Sequence, residues 1–125
     1  MYARIQRFNL SQGMQEIAEE LAGRTDQILR GHRGFHSLTL FADESSGEYI
    51  FLTLWASLED IAAFERSPDE WRARDLMSPH ITTVPQIEVY QIHNMPTPAQ
   101  PAEADTTVLK PEPTEPTVPT GRSLG

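Results

Sequence analysis

Apolar residues in this chain recur at two spacings, one of two and one of three to four, and the changes between them mark out its elements. The strongest segment is Tyr49-Ile50-Phe51-Leu52-Thr53-Leu54-Trp55. With almost no polar interruption, it predicts a central strand whose two faces both favour burial. Ser57 stands three residues before Asp60 at the head of Leu58, Ile61, Ala62 and Phe64. That is an N-cap followed by helical spacing, so the strand runs directly into a helix. Upstream, Tyr2 to Phe8 carry Tyr2, Ile5 and Phe8 and predict a first strand. Ser11 is the expected N-cap of a long amphipathic helix, in which Met14, Ile17, Ala18, Leu21, Ile28 and Leu29 share one stripe opposite Glu16, Glu19, Glu20 and Arg24. The helix is expected to stop near Arg30, where Gly31 and Gly34 bracket His32 and Arg33. Phe35 to Ala42 predicts a second strand, joined to the central one through Asp43-Glu44-Ser45-Ser46-Gly47 as an antiparallel hairpin. Ser67-Pro68-Asp69-Glu70 heads a further short helix through about Met77, with Ser as cap and Pro at the first helical position. After Pro79 and Pro85, Gln86 to His93 predicts the last strand.

Strand, helix, strand, strand, helices, strand is an α+β order. It implies a ferredoxin-like, four-stranded antiparallel sheet with its helices on one face. The central strand then shows Ile50, Leu52 and Leu54 on one side and Tyr49, Phe51 and Trp55 on the other. One helical layer covers only one of them. An apolar face of several hundred Å² left bare exceeds what soluble monomers tolerate. The expected remedy is a twofold homodimer, sheet packed on sheet with the helices outside.

Composition narrows the partners. The chain has 125 residues, which suits one domain over residues 1–94. From residue 95 to 125 the pattern fades: Pro96, Pro98, Pro101, Pro111, Pro113, Pro116 and Pro119 occur among Thr and Glu with few large apolar side chains. A disordered, partly polyproline II tail is expected there. A formal net charge of −8 argues against binding a nucleic-acid backbone, which takes clustered Lys and Arg. Absence of cysteine removes disulfides, a thiolate nucleophile and Cys-based zinc sites. The first residues, MYARIQRFNL, hold no long apolar run, and no stretch is long enough to span a bilayer. A soluble, cytoplasmic protein is the expectation.

Several side chains are candidates for chemistry. His80, just beyond the short helix, carries an imidazole, the side-chain type suited to a general base at neutral pH. Arg74 and its neighbour Arg72 offer forked cations for a phenolate or carboxylate, or else pair with Asp69, Glu70 or Asp75 along the helix. Gln6 offers an amide from the first strand, and Trp71 offers an indole face to a planar ligand or an anchor for the core or a dimer. His36 can face either side of its strand, while His32 and His93 read as helix-end or surface residues. The four histidines show no metal-ligand spacing, and no phosphate-cradling glycine loop is present, so no metal site is predicted.

The Gly34-Phe35 start of the hairpin, with Phe51-Leu52-Thr53-Leu54-Trp55-Ala56-Ser57 leading into Ile61-Ala62-Ala63-Phe64, resembles the antibiotic biosynthesis monooxygenase family of dimeric α/β-barrel proteins. The resemblance covers roughly residues 2 to 93. It implies a pocket between the sheet and the helices of each subunit. It also implies oxidation of a small aromatic phenol or quinol by molecular oxygen, without metal or flavin. His80 and Arg74 are then the catalytic candidates, with Gln6, Phe64, Trp71 and His36 binding substrate. A haem-binding or haem-degrading branch of the same fold is an alternative. The Asn, Trp and axial His that serve that branch align with Gln6, with Phe64 and near Ala73 or Arg74, and none matches. A non-catalytic dimeric ligand-binding module is the other alternative. Within the tail, residues 120–125 read either as a solubilising end or as a docking peptide for a partner, resembling the Ser-Leu-containing termini that load cargo into encapsulin shells.

Overall fold

The computed structural model describes residues 1–94; the tail, with the docking peptide expected at residues 120–125, lies outside the described residues. The chain runs β1 (Tyr2–Asn9), α1 (Gln15–Leu29), β2 (Phe35–Asp43), β3 (Glu48–Trp55), α2 (Leu58–Glu65), α3 (Pro68–Met77) and β4 (Gln86–Gln91). The strands form one antiparallel sheet in the order β2-β3-β1-β4. This is the ferredoxin-like α+β arrangement that the order of elements implies.

Register decides which side chains meet the helices. Arg4, Gln6 and Phe8 pair across from Thr53, Phe51 and Tyr49, so these six share one face of the sheet. Tyr49, Phe51, Thr53 and Trp55 are buried, while Ile50, Leu52 and Leu54 alternate with them as half-buried residues. Phe8, Tyr49 and Phe51 pack with Ala18 and Leu21 of α1 and Met77 of α3. Trp55 closes a second cluster with Leu29, Ile61 and Phe64. On the opposite face Ile5 lies across from Leu52, and Phe41 and Tyr90, about half exposed, extend an apolar surface that no helix among the described residues covers. No helix among the described residues is long and apolar enough to cross a membrane.

Three local expectations change. Ser11 does not cap α1, because the chain turns through Gln12 and Gly13, the latter at φ 79, and the helix begins after Met14 without a side-chain cap. Ser67 precedes α3, but its hydroxyl donates to the Phe64 carbonyl at 2.6 Å instead of capping, which ties the helix to the end of α2. The last strand stops at Gln91, short of His93. Ser57 behaves as its spacing predicts: its Oγ accepts the Asp60 N–H at 3.1 Å and donates to the Asp60 carboxylate at 2.9 Å.

Candidate functional site

The side chains that the register turns toward the helices include three polar ones, Arg4, Gln6 and Thr53, in a layer that is otherwise mostly aromatic and aliphatic, with Phe8, Tyr49, Phe51 and Trp55. A polar side chain at such a position must find a partner or a ligand. Thr53 is fully engaged: its hydroxyl donates to the Arg4 carbonyl at 3.2 Å and accepts the Trp55 indole N–H at 2.9 Å. Arg4, only 6% exposed, donates its Nε to Glu65 at 2.9 Å and lays its guanidinium over the Phe64 ring at 5.6 Å.

Between this layer and the helices lies a cavity of about 20 Å³, room for little more than one water molecule. Its polar lining is Arg4, Gln6, Thr25, Thr53, Glu70 and Arg74, set against Phe51, Trp55 and Phe64. Thr25 Oγ1 is buried and has no hydrogen-bond partner, the single such side-chain atom among the described residues. Glu70, 8% exposed, accepts the Arg74 Nε at 2.5 Å. Next to the cavity, a cleft of about 320 Å³ opens between the end of α3 and β4, lined by Ile81, Val84, Pro85 and Ile87. Such a volume suits a small aromatic ring system. Gln6, Arg74 and Met77 line both spaces and so form the partition between them. The Gln6 amide points at the Met77 sulfur at 3.7 Å, a weak contact to a flexible side chain.

Of the residues singled out from sequence, the structure brings together Gln6, Phe64 and Arg74. Phe64 is a wall of the inner cavity, and its ring also receives the edge of His32 at 5.2 Å. Trp71 stands 66% exposed on the outer side of α3 and reaches the site only through Arg74, whose guanidinium lies 6.0 Å from its ring. It is therefore not a core anchor. His80 sits half-buried in the turn after α3 and lines neither space. His36 is exposed at the irregularity of β2 between Phe35 and Ser37. Arg72 pairs with Asp69, which also meets His32 at 2.7 Å. Among the described residues no group of three or more His, Cys, Asp or Glu converges as a metal site would require.

Sequence reasoning passed over Arg4, Thr25, Thr53 and Glu70. The signals were present. Thr53 is the one aliphatic hydroxyl within the apolar run, Arg4 is two residues from Gln6 on the same strand face, and Thr25 occupies a slot of the helical stripe with Ala18, Leu21 and Leu29.

Comparison with known proteins bears on the family and the fold. The sequence profile described as antibiotic biosynthesis monooxygenase matches residues 1–75. A putative antibiotic biosynthesis monooxygenase from Bordetella bronchiseptica superposes with a TM-score of 0.65 at 18% identity, covering 73% of this chain and 95% of that one. A Mycobacterium tuberculosis protein gives 0.63 at 18% identity, over 77% and 98% of the two chains. SnoaB, a cofactor-independent oxygenase from Streptomyces nogalater, gives 0.63 at 15% identity, over 75% and 94%. These likenesses establish the shared fold. No curated protein sequence matches the chain significantly. With the family profile spanning more than half of its length, the chain belongs to the antibiotic biosynthesis monooxygenase family.

Proposed function

We propose that this protein is a cofactor-independent monooxygenase that oxidises a small phenol or quinol with molecular oxygen, and that it works as a cytoplasmic homodimer. The observation that carries the reading is the partition: an amide, Gln6, and a guanidinium, Arg74, stand where an apolar cleft of ring size meets a water-sized polar cavity. A phenolic ring fits the cleft, and its oxygen meets the two donors. Cofactor-free chemistry asks for little more. The protein stabilises the phenolate, whose electron-rich ring passes electrons to oxygen in a water-poor space. The oxidation closes without an external reductant: hydroquinone and dioxygen give hydroxyquinone and water, the substrate supplying all four electrons. SnoaB is described as such an oxygenase and shares the fold, which supports the reading. Sheet-to-sheet dimerisation is supported by the bare face around Ile5, Ile50, Leu52, Phe41 and Tyr90.

The small inner volume favours a second reading, a non-catalytic binding module whose cavity is filled by its own Phe51, Trp55 and Phe64 side chains. The haem alternative gains no support, since the residues lining the two spaces include no histidine. Oxygen consumption by chelator-treated protein over a panel of substituted phenols and hydroquinones separates these readings. Uptake that saturates with one class of quinol and weakens on Arg74→Gln supports the oxygenase. Saturable binding across the panel with no uptake supports the module.

A further inference from the structure

Stabilising a phenolate requires somewhere for its proton to go, and the two spaces contain a single carboxylate, Glu70. It is buried, it faces the inner cavity, and only its Oε2 is engaged, by Arg74 Nε at 2.5 Å; Oε1 has no hydrogen-bond partner among the described residues. Arg74 reaches further, lining the cleft as well as the cavity. The other two residues of the partition, Gln6 and Met77, meet through the weak contact of Gln6 Nε2 with Met77 Sδ. Parting that contact lets a single oxygen atom of a ring held in the cleft enter the cavity, which has room for about that much.

We propose that Glu70 is the proton acceptor of the site, and that it acts by exchanging partners with Arg74; the inference rests on the phenol-oxidising reading above. The substrate O–H bond breaks and leaves its electron pair on oxygen, while the proton forms a new O–H bond on Glu70 Oε1. Glu70 becomes neutral and loosens its hold on Arg74, and the guanidinium turns its charge to the new phenolate. One anion and one cation are present before and after. The buried space therefore gains no net charge, which is what makes the transfer tolerable away from water. Thr25 Oγ1, buried at the same cavity without a partner, is a spare hydroxyl for whichever oxygen enters.

The exchange also selects the substrate class. An ordinary phenol and an ordinary carboxylic acid differ by about six pKa units, too many for one arginine to bridge. Phenols made acidic by a conjugated electron-withdrawing group, such as a ring carbonyl, close most of that gap. The substrate is accordingly a carbonyl-conjugated phenol or quinol.

4-Nitrophenol is a suitable probe, because its phenolate is yellow, its neutral form is nearly colourless, and it does not react with oxygen. Below the pH at which the free probe ionises, wild-type protein is expected to bind it and develop the phenolate band. Glu70→Gln, which keeps an oxygen acceptor for Arg74, is expected to bind the probe colourless. The same substitution is expected to slow turnover of a carbonyl-conjugated quinol about 100-fold, the lower end of what a general base contributes. Arg74 is largely exposed, and Arg74→Gln, whose fold is checked by circular dichroism because it takes the partner from buried Glu70, should also lose the band. A phenolate band that survives either substitution, or a probe bound colourless by the wild type, overturns the inference, and continued oxygen uptake by that protein leaves the oxygenase reading standing. Phenolate binding with no uptake from any quinol sinks the oxygenase reading and keeps the proton exchange. A probe that does not bind at all overturns the exchange.

Discussion

Trp55 and Thr53, two residues apart on one strand face, are bound to each other inside the core: the fully buried indole N–H donates to the Thr53 hydroxyl at 2.9 Å. That hydroxyl in turn donates to the backbone of the neighbouring strand at Arg4, so one oxygen fixes both the tryptophan and the β1–β3 register. Thr53→Val keeps the shape and removes the oxygen. It leaves a buried N–H unpaired and is expected to destabilise the fold by about 1–3 kcal/mol. Thermal unfolding followed by circular dichroism reads this directly, and an unchanged midpoint would mean that the indole finds another acceptor.

Gly34 provides a second stability test. Its φ of 83 lies in the left-handed region, and a Cβ there would stand 2.7 Å from the Cβ of Asp60. Gly34→Ala is therefore expected to cost more than the roughly 1–2 kcal/mol of backbone strain alone, because the capped start of α2 must also move. Gly23→Ala meets nothing within 4 Å, lies within α1, and is expected to be neutral or mildly stabilising. Equal midpoints for the two variants would contradict this reading.

Much of this was legible in the sequence, for a physical reason. The Ser57 cap and the Tyr49–Trp55 apolar run are local signals, and local signals survive into the fold. The site is different. Arg4 finds Glu65 across 61 positions, and Gln6 meets Met77 across 71, so their pairing is decided by topology, which a spacing rule does not see. His80 was singled out for its imidazole and its place just beyond the short helix, whereas the carboxylate that lines the cavity is Glu70, one helical turn from Arg74. Ser11 drew the wrong helix start because a capping residue and a turn residue share the same composition, and Gly13 makes the turn.

Acid dependence is expected at the hairpin. Hydrogen bonds from the Ser45 and Ser46 side chains hold the Asp43 carboxyl below its ordinary 3.8. A depressed folded-state value gives stability that is present at neutral pH and lost as pH falls through that lowered value. Asp43→Asn should therefore lower the unfolding midpoint near neutrality, and its deficit relative to wild type should shrink in strong acid. A deficit that stays constant with pH would show that the turn is held by its backbone geometry.

The bare sheet face is tested by charge. Leu52 lies at its centre, opposite Ile5. Leu52→Asp is expected to leave the circular dichroism unchanged and convert a dimer into a monomer in sedimentation velocity. A wild-type protein that sediments as a monomer at micromolar concentration would remove the dimer.

The most direct test of the oxygenase reading is the origin of the product's new oxygen. Chelator-treated protein is mixed with an acidic quinol under ¹⁸O₂, and the product is weighed by mass spectrometry. One heavy atom per product, with formation slowed in Arg74→Gln, is the expected result. A product that carries no label, or labelled product only when metal is returned, would contradict cofactor-independent monooxygenation at this site.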